Sequence, residues 1–396
     1  MPEGKPAQGH VDQAEMVRRA ESLVPLLRER RAQSLKDRRV SDATIADLMK
    51  ADLFKIMQPA AFGGLELPYG AQVPISAALG RGCGAASWLI SVFATHHWML
   101  AKFDPQAQAD VWGKAPDTIV CSAFGFAEAK VTAVAGGYQV SGRWTFSSGS
   151  HAAGWAMIGI PVESKNGPLG RKFALVPRSD FQVLDNWHAV GLRGSGSNDI
   201  TISNAFIPNH RTIGFDEIDR IASPGTTVNT GPTYRLQTFG VFNLTGVGPT
   251  LGMAQGALKS FADGMKHRRN VFGSKIPELQ NIQIRTSEAS AEIDAALVIA
   301  DYHIMTLQDA ANAGGGVGKD YLLRLQRDCA YVGRLCQNAV NRLVEASGAG
   351  GLNDDNEVQL NQADMKGACA HLTMGWDANC VPYGKYLLGI EHKGLI

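Results

Sequence analysis

No stretch of this 396-residue chain is apolar for the ~18 to 20 residues that a bilayer-spanning helix needs. The polar start MPEGKPAQGHVDQAE also lacks the hydrophobic segment of a signal peptide, so a cytoplasmic protein without membrane contact is expected. Charge of one sign is missing as well. With 38 Lys+Arg against 37 Asp+Glu the net charge is +1, and without an arginine-rich stripe nothing favours nucleic acid or an anionic membrane as partner. The six cysteines show neither CxxC nor CxxxxC pairing, which argues against a metal site and a disulfide framework. Cys329 and Cys336, two turns apart in a helical pattern, read as packing residues.

What is present is a large soluble chain whose periodicity changes twice. At 396 residues it exceeds the size at which one hydrophobic core stops growing, and 45% hydrophobic with 19% charged residues is a globular composition. Val11, Ala14, Val17, Leu23 and Leu27 mark an amphipathic helix, and Ser41-Asp42 caps another ending near Leu53. Phe62-Gly63-Gly64 interrupts the pattern. Helices through Ala71 to Leu79 and Ala85 to Leu100 follow, the second carrying His96 and His97. Adjacent helical residues point about 100° apart, so at most one of these histidines faces a given pocket.

From Asp117 to about Arg211 short β runs take over: 119–122, 130–133, 138–146, 155–161, 172–176 and 199–202. Turns of Gly, Ser, Asn and Pro separate them, which predicts a small antiparallel barrel or sandwich. GLRGSGS at 191–197 has the look of a phosphate loop, but NDITISNAFIP after it reads as strand and not helix, so P-loop and Rossmann readings are rejected. Helical periodicity then returns. A helix from about Gly246 to His267, one from Ala289 to Ala311, one from Leu322 to Leu343 and a last one through Met365, His371 and Trp376 make a four-helix bundle.

The stretch Gly136 to Trp155, GGYQVSGRWTFSSGSHAAGW, reads as two strands meeting at a small-residue turn. A flat aromatic cofactor suits that corner: Trp144 and Phe146 can cover one face of a ring while Ser147 to Ser150 reach polar edge atoms such as those of an isoalloxazine. An ordinary hairpin with its aromatics in a core is the alternative.

Helices, a β unit and a four-helix bundle are the order of the acyl-CoA dehydrogenase superfamily, and the motifs agree. QPAAFGGLELP resembles its P-x-x-[FY]-G-G segment, GGYQVSGRWTFSSGSHAAGW its flavin-side strand pair, and GLRGSGSNDITISNAFIP its G-x-R-G-[ST] loop and following strand; RNVFG at 269–273 resembles R-x-x-F-G. The resemblance implies an α+β, mainly α fold with an N-terminal helical domain at 1–116, a central β domain at 117–225 and a four-helix bundle at 226–396. The Glu of the dehydrogenases' Y-E-G-T motif is missing, and His371 stands on the matching helix. Together with W-x-F-x-S-G at Trp144 to Gly149 and His96-His97-Trp98, this is similar to the two-component, reduced-flavin-dependent (group D) monooxygenases. The chain departs from them in having Ala363-Asp364 for Arg-Asp, and Pro382 in the last helix.

That resemblance implies reduced FMN or FAD delivered by a separate NAD(P)H reductase. O2 as co-substrate gives a C4a-hydroperoxide, which hydroxylates a small aromatic, phenolic substrate. It assigns His96, His371 and Ser122 to catalysis, with a histidine of ordinary pKa ~6.5 as base for the phenol. Trp144, Phe146, Ser147, Ser148, Gly149, Arg269 and Phe272 go to the cofactor, His97 and Met374 to substrate. Arg269 resembles a residue that reaches a neighbouring subunit's flavin, so a homotetramer is implied. Three alternatives stay open: an acyl-CoA dehydrogenase with its base elsewhere, a noncatalytic flavin carrier, and indole, amine or sulfur oxygenation on the same scaffold.

Overall fold

The protein opens with helices that are built around one buried member. A computed structural model describes residues 11–126, 128–163 and 170–391; the polar start read above lies largely outside the described residues. The first helices are α1 (Gln13–Glu29), α2 (Arg31–Asp37), α3 (Asp42–Lys50), α4 (Gln72–Gly80), α5 (Gly84–Leu100) and α6 (Pro105–Trp112). Asp12 and Ser41 cap α1 and α3 by accepting the Glu15 and Thr44 amides. Every residue of α5 is buried, as its apolar circumference requires. Its few hydroxyls are satisfied inside: Ser91 and Thr95 both donate to Gln72 Oε1, and Thr95 Oγ1 lies 2.9 Å from Thr245 Oγ1. These bonds fix the rotation of α5 and therefore the direction of its histidines.

The β unit consists of β1 (Val120–Ala123), β2 (Lys130–Val134), β3 (Gly137–Ser147), β4 (Trp155–Val162), β5 (Gly170–Pro177), β6 (Phe181–Val183), β7 (Asn198–Pro208) and β8 (Thr212–Gly214). They form two four-stranded sheets, ordered β1-β4-β5-β8 and β2-β3-β7-β6. The sandwich half of the expectation holds, with a correction: β1 and β4 run parallel. A second correction concerns the stretch 136–155, because β3 pairs with β2 and β7 while β4 pairs with β1 and β5. The turn between them carries the chain from one sheet to the other. Strands β6 and β8, of three residues each, fall below the run length on which strand reading depends.

After short helices α7 (Phe215–Ile218) and α8 (Thr238–Val241) come the long α9 (Val247–Met265), α10 (Gln280–Asn312) and α11 (Lys319–Ala346). Cys329 and Cys336 are buried in α11 as packing residues, and burial pushes both thiols up. The single last helix expected from the sequence is two, α12 (Glu357–Cys369) and α13 (Trp376–Leu387), with Pro382 inside the second. Two things break it. The His371 ring competes for the Thr373 amide, and Met374 is drawn inward to gaps left by glycine: a Cβ at Gly246 would lie 2.4 Å from Met374 Cγ, and one at Gly333 2.7 Å from Cε. Asn243 then donates to the Thr373 carbonyl and Asn379 to that of Leu372.

Candidate active site

The two histidines of α5 turn to different neighbours. His96 Nδ1 lies 2.8 Å from the Val120 carbonyl and its Nε2 2.7 Å from Ser122 Oγ. Since a carbonyl only accepts, neutral His96 carries its proton on Nδ1, and Ser122 donates to Nε2. Burial pushes the His96 pKa down to about 3, opposed by the Val120 bond. This corrects the expectation of an ordinary imidazole base. His97 instead bonds the Phe54 carbonyl at 2.8 Å and packs its ring on Trp112, 5.4 Å between centroids. It stands apart from the His96–Ser122 pair, so the substrate-facing position expected for it is not where the ring lies.

The serine corner is similarly sorted. Trp144 is fully buried, and its Nε1 donates to the Gly159 carbonyl at 2.8 Å. It is a sandwich-core residue, so the ring-covering position expected for it is not where the side chain lies; of the hairpin-core alternative only the buried Trp144 agrees, since the stretch is not a hairpin and Phe146 is exposed. A bulge between Trp144 and Ser147, with Phe146 at φ +64°, turns Phe146 outward, 69% exposed and edge-on to Trp187. Ser147 is buried beneath the corner. Gly149 closes it against α5: its φ is +66°, and a Cβ there would stand 2.3 Å from Phe93 Cζ.

Ser148 alone of these serines is only partly buried. It accepts from Trp88 Nε1 at 3.2 Å and lies 2.8 Å from Ser197 Oγ in the 191–197 loop, whose Ser195 carbonyl takes the Gly149 amide. Trp88, which the sequence marks only as an apolar helical residue, is therefore part of the site. Its signal is spacing, for positions 88, 92 and 96 follow one side of α5. The corner fits the polar edge of a flavin through Ser148, with the exposed Phe146 ring beside it.

His371 lies in the turn between α12 and α13 and not on a helix, so the helical face expected to place Met374, Gly375 and Ala378 beside it does not exist. Its ring meets Trp88 edge-on at 5.0 Å. Nδ1 faces Thr373 Oγ1 at 2.9 Å and takes the Thr373 amide, which leaves Nε2 as the N–H bearing atom without a hydrogen-bond partner among the described residues. Burial lowers its pKa to about 4. Met374 is buried between Gly246 at the start of α9 and Gly333 of α11.

Aromatic rings surround the dyad: Phe93 and Phe124 lie about the His96 ring, and Phe124 contacts Phe173 and Phe242. Phe173 stacks on Phe215 at 4.2 Å, and Phe215 and Phe239 wall a cavity of about 420 Å³ edged by Asp216, Asp219 and Arg220. Arg269 and Phe272 are far more open. Phe272 is 89% exposed on a loop where Arg269 reaches only the Gly273 carbonyl, so one copy of the chain brings neither to the corner.

Fold and motifs thus agree on the acyl-CoA dehydrogenase architecture, and residues 244–376 match the family model described as acyl-CoA dehydrogenase, C-terminal domain. The chain is 32% identical to the flavin-dependent monooxygenase oxygenase subunit HsaA of Rhodococcus jostii (strain RHA1), covering 94% of this chain and 98% of that one. It is 32% identical to the FADH(2)-dependent resorcinol hydroxylase oxygenase component of Rhizobium sp. (strain MTP-10005), covering 96% and 95%. The crystal structure of 3-HSA hydroxylase from Rhodococcus sp. RHA1 superimposes with a TM-score of 0.91 at 30% identity, covering 96% and 98%. The chain belongs to the oxygenase components of two-component flavin-dependent monooxygenases, and is an oxidoreductase.

Proposed function

We propose that this chain hydroxylates a small phenol with O2, using reduced flavin from a separate NAD(P)H reductase, and that the His96–Ser122 dyad receives the phenolic hydroxyl. The observation that carries the reading is the 2.7 Å contact of a neutral His96 Nε2 with Ser122 Oγ, the imidazole lying between Phe93 and Phe124. The bound flavin would supply two electrons, so that one oxygen atom enters the ring and the other leaves as water.

The remaining work belongs to the chain. Ser122 gives its own proton to Nε2, and its lone pairs face outward to accept the phenolic proton. With a pKa near 3, His96 shares that proton in a hydrogen bond and does not store it in the free protein, which still enriches the ring carbon beside the phenol oxygen. His371 Nε2 offers a donor across the Trp88 ring, suited to an oxygen gaining charge. Phe93, Phe124 and Phe242 exclude water, and Ser148 with the 191–197 loop holds the flavin edge.

Likeness to the FADH(2)-dependent hydroxylase of Rhizobium favours FADH2 over reduced FMN. Arg269 and Phe272, exposed on their loop, suit a partner subunit's flavin in a homotetramer. Among the described residues no helix is long and apolar enough to cross a membrane, in keeping with a cytoplasmic site of action. The test is anaerobic titration with reduced FAD and reduced FMN, then mixing with O2 and a panel of phenols, with hydroxylated product and hydrogen peroxide both measured. Flavin-dependent product from a phenol is expected. Binding of reduced flavin without product from any phenol, indole, amine or sulfide would leave only a carrier, and thioester-dependent bleaching of tightly held oxidised FAD would indicate a dehydrogenase.

A further inference from the structure

The loop 191–197 is held by a group that the chemistry above does not use. Leu192 adopts φ +47°, a left-handed backbone that a side chain with Cβ disfavours, and it is buried. Both of its peptide groups are tied down: the amide donates to Asp364 Oδ1 at 2.9 Å, and the carbonyl accepts from Trp187 Nε1 at 3.1 Å. Gly191 before it meets α12 backbone to backbone, since a Cβ there would stand 1.7 Å from the Ala363 carbonyl oxygen. The other oxygen of Asp364 pairs with Arg31 Nη2 of α2 at 3.0 Å, both side chains almost wholly buried, while Arg31 Nη1 reaches Glu357 at 2.8 Å. That same oxygen lies against the start of α5, 2.8 Å from where a Cβ on Gly84 would be.

A buried ion pair is poor evidence of stabilisation, because desolvation offsets most of the attraction and apolar replacements of similar volume are often neutral. Its geometry is better explained by what it positions. From Leu192 the chain turns so that its carbonyl takes the Ser195 amide, the Ser195 carbonyl takes the Gly149 amide, and Ser197 meets Ser148. Asp364 therefore stands at the head of a hydrogen-bonded line that ends at Ser148, the one partly buried serine of the flavin corner.

We propose that Asp364, with Arg31 as its counter-ion, is a positioning residue that sets the left-handed turn at Leu192 and through it the Ser195, Ser197 and Ser148 edge that receives reduced flavin. The inference rests on the flavin reading above, and it separates two quantities that a purely structural role would move together.

Two variants oppose each other. Asp364→Asn keeps the acceptor for the Leu192 amide but leaves the Arg31 charge short of a partner, so the melting temperature falls while the Kd for reduced flavin stays within about threefold. R31M/D364L removes both charges and the acceptor. Its melting temperature stays nearer that of the wild type, its Kd for reduced flavin rises about tenfold or more, and amide hydrogen exchange at 192–195 quickens even without flavin. Parallel loss of stability and affinity in both variants, or wild-type affinity and exchange in R31M/D364L, overturns the proposal. Failure of the wild-type protein to bind reduced flavin would instead overturn the functional reading, and the exchange measurement would still report whether Asp364 sets the loop.

Discussion

Ser122 Oγ donates to His96 Nε2 at 2.7 Å because the Val120 carbonyl, 2.8 Å from Nδ1, leaves the imidazole only that one lone pair to offer. Ser122→Ala removes the donor and the outward-facing acceptor together. Product formation is expected to fall roughly 10- to 100-fold, the value of one or two buried hydrogen bonds, with reduced-flavin affinity unchanged. Full product yield from the alanine variant would detach the dyad from the substrate.

His371→Asn tests the donor across Trp88. Losing a positioned proton donor or acceptor costs about 10²- to 10⁴-fold, so the folded variant should release hydrogen peroxide in place of product. Measured together, melting temperature, peroxide and product distinguish this from a packing role, in which stability falls and coupling does not.

His97 supplies a control with its own signature. Burial lowers its pKa to about 4, whereas in the unfolded chain it titrates near ~6.5. Below ~6.5 the unfolded state takes up a proton that the folded state refuses. Stability is therefore complete above that pH and drains away as pH falls towards 4, by roughly 2 kcal/mol at pH 5. His97→Asn should narrow the difference in melting temperature between pH 7.5 and pH 5 while leaving coupling at pH 7.5 within about twofold. His96 and His371 have lowered values of the same sign, so the pH dependence should shrink without vanishing.

Trp88→Phe keeps a ring against His371 and deletes the N–H that Ser148 accepts. A several-fold weaker grip on reduced flavin is expected, consistent with about 1 kcal/mol for one hydrogen bond, with little change in melting temperature. Anaerobic fluorescence titration reads it directly.

For assembly, Phe272→Asp places a charge on a ring that is 89% exposed in the single chain. If the chain forms the proposed tetramer and the 269–273 loop meets a partner in it, sedimentation equilibrium should show the Phe272→Asp assembly weaker than the wild-type one; an unaltered assembly would place the contact elsewhere.

Much of this was legible in the sequence because it depends on local pattern. The change from helical to alternating periodicity gave the order of the units, and α5 announced itself by its apolar length. Ser122 was reachable from the resemblance, since β1 delivers it to His96. The errors came where distant packing overrode local preference. Trp144 and Phe146 share a strand parity, yet a bulge and one left-handed residue send one ring inside and the other out. His371 lies in a helical pattern that fails where its own ring competes for the Thr373 amide and where Gly246 and Gly333 leave room for Met374. The Arg31–Asp364 pair was invisible for the same reason: its members and the Leu192 amide are more than 170 positions apart, whereas Trp88 could have been found from its spacing to His96.

The backbone contact of Gly191 with Ala363 has one more consequence. The segment 191–197 belongs by sequence to the β unit, but its shape is a property of the C-terminal helices that press on it. A β unit excised at its sequence boundaries would carry every serine of the corner and lack the mould that shapes it. The corner is thus not a transplantable module: if it receives flavin as proposed, variation that reshapes α12 would be felt as altered cofactor recognition, with no residue of the corner having changed.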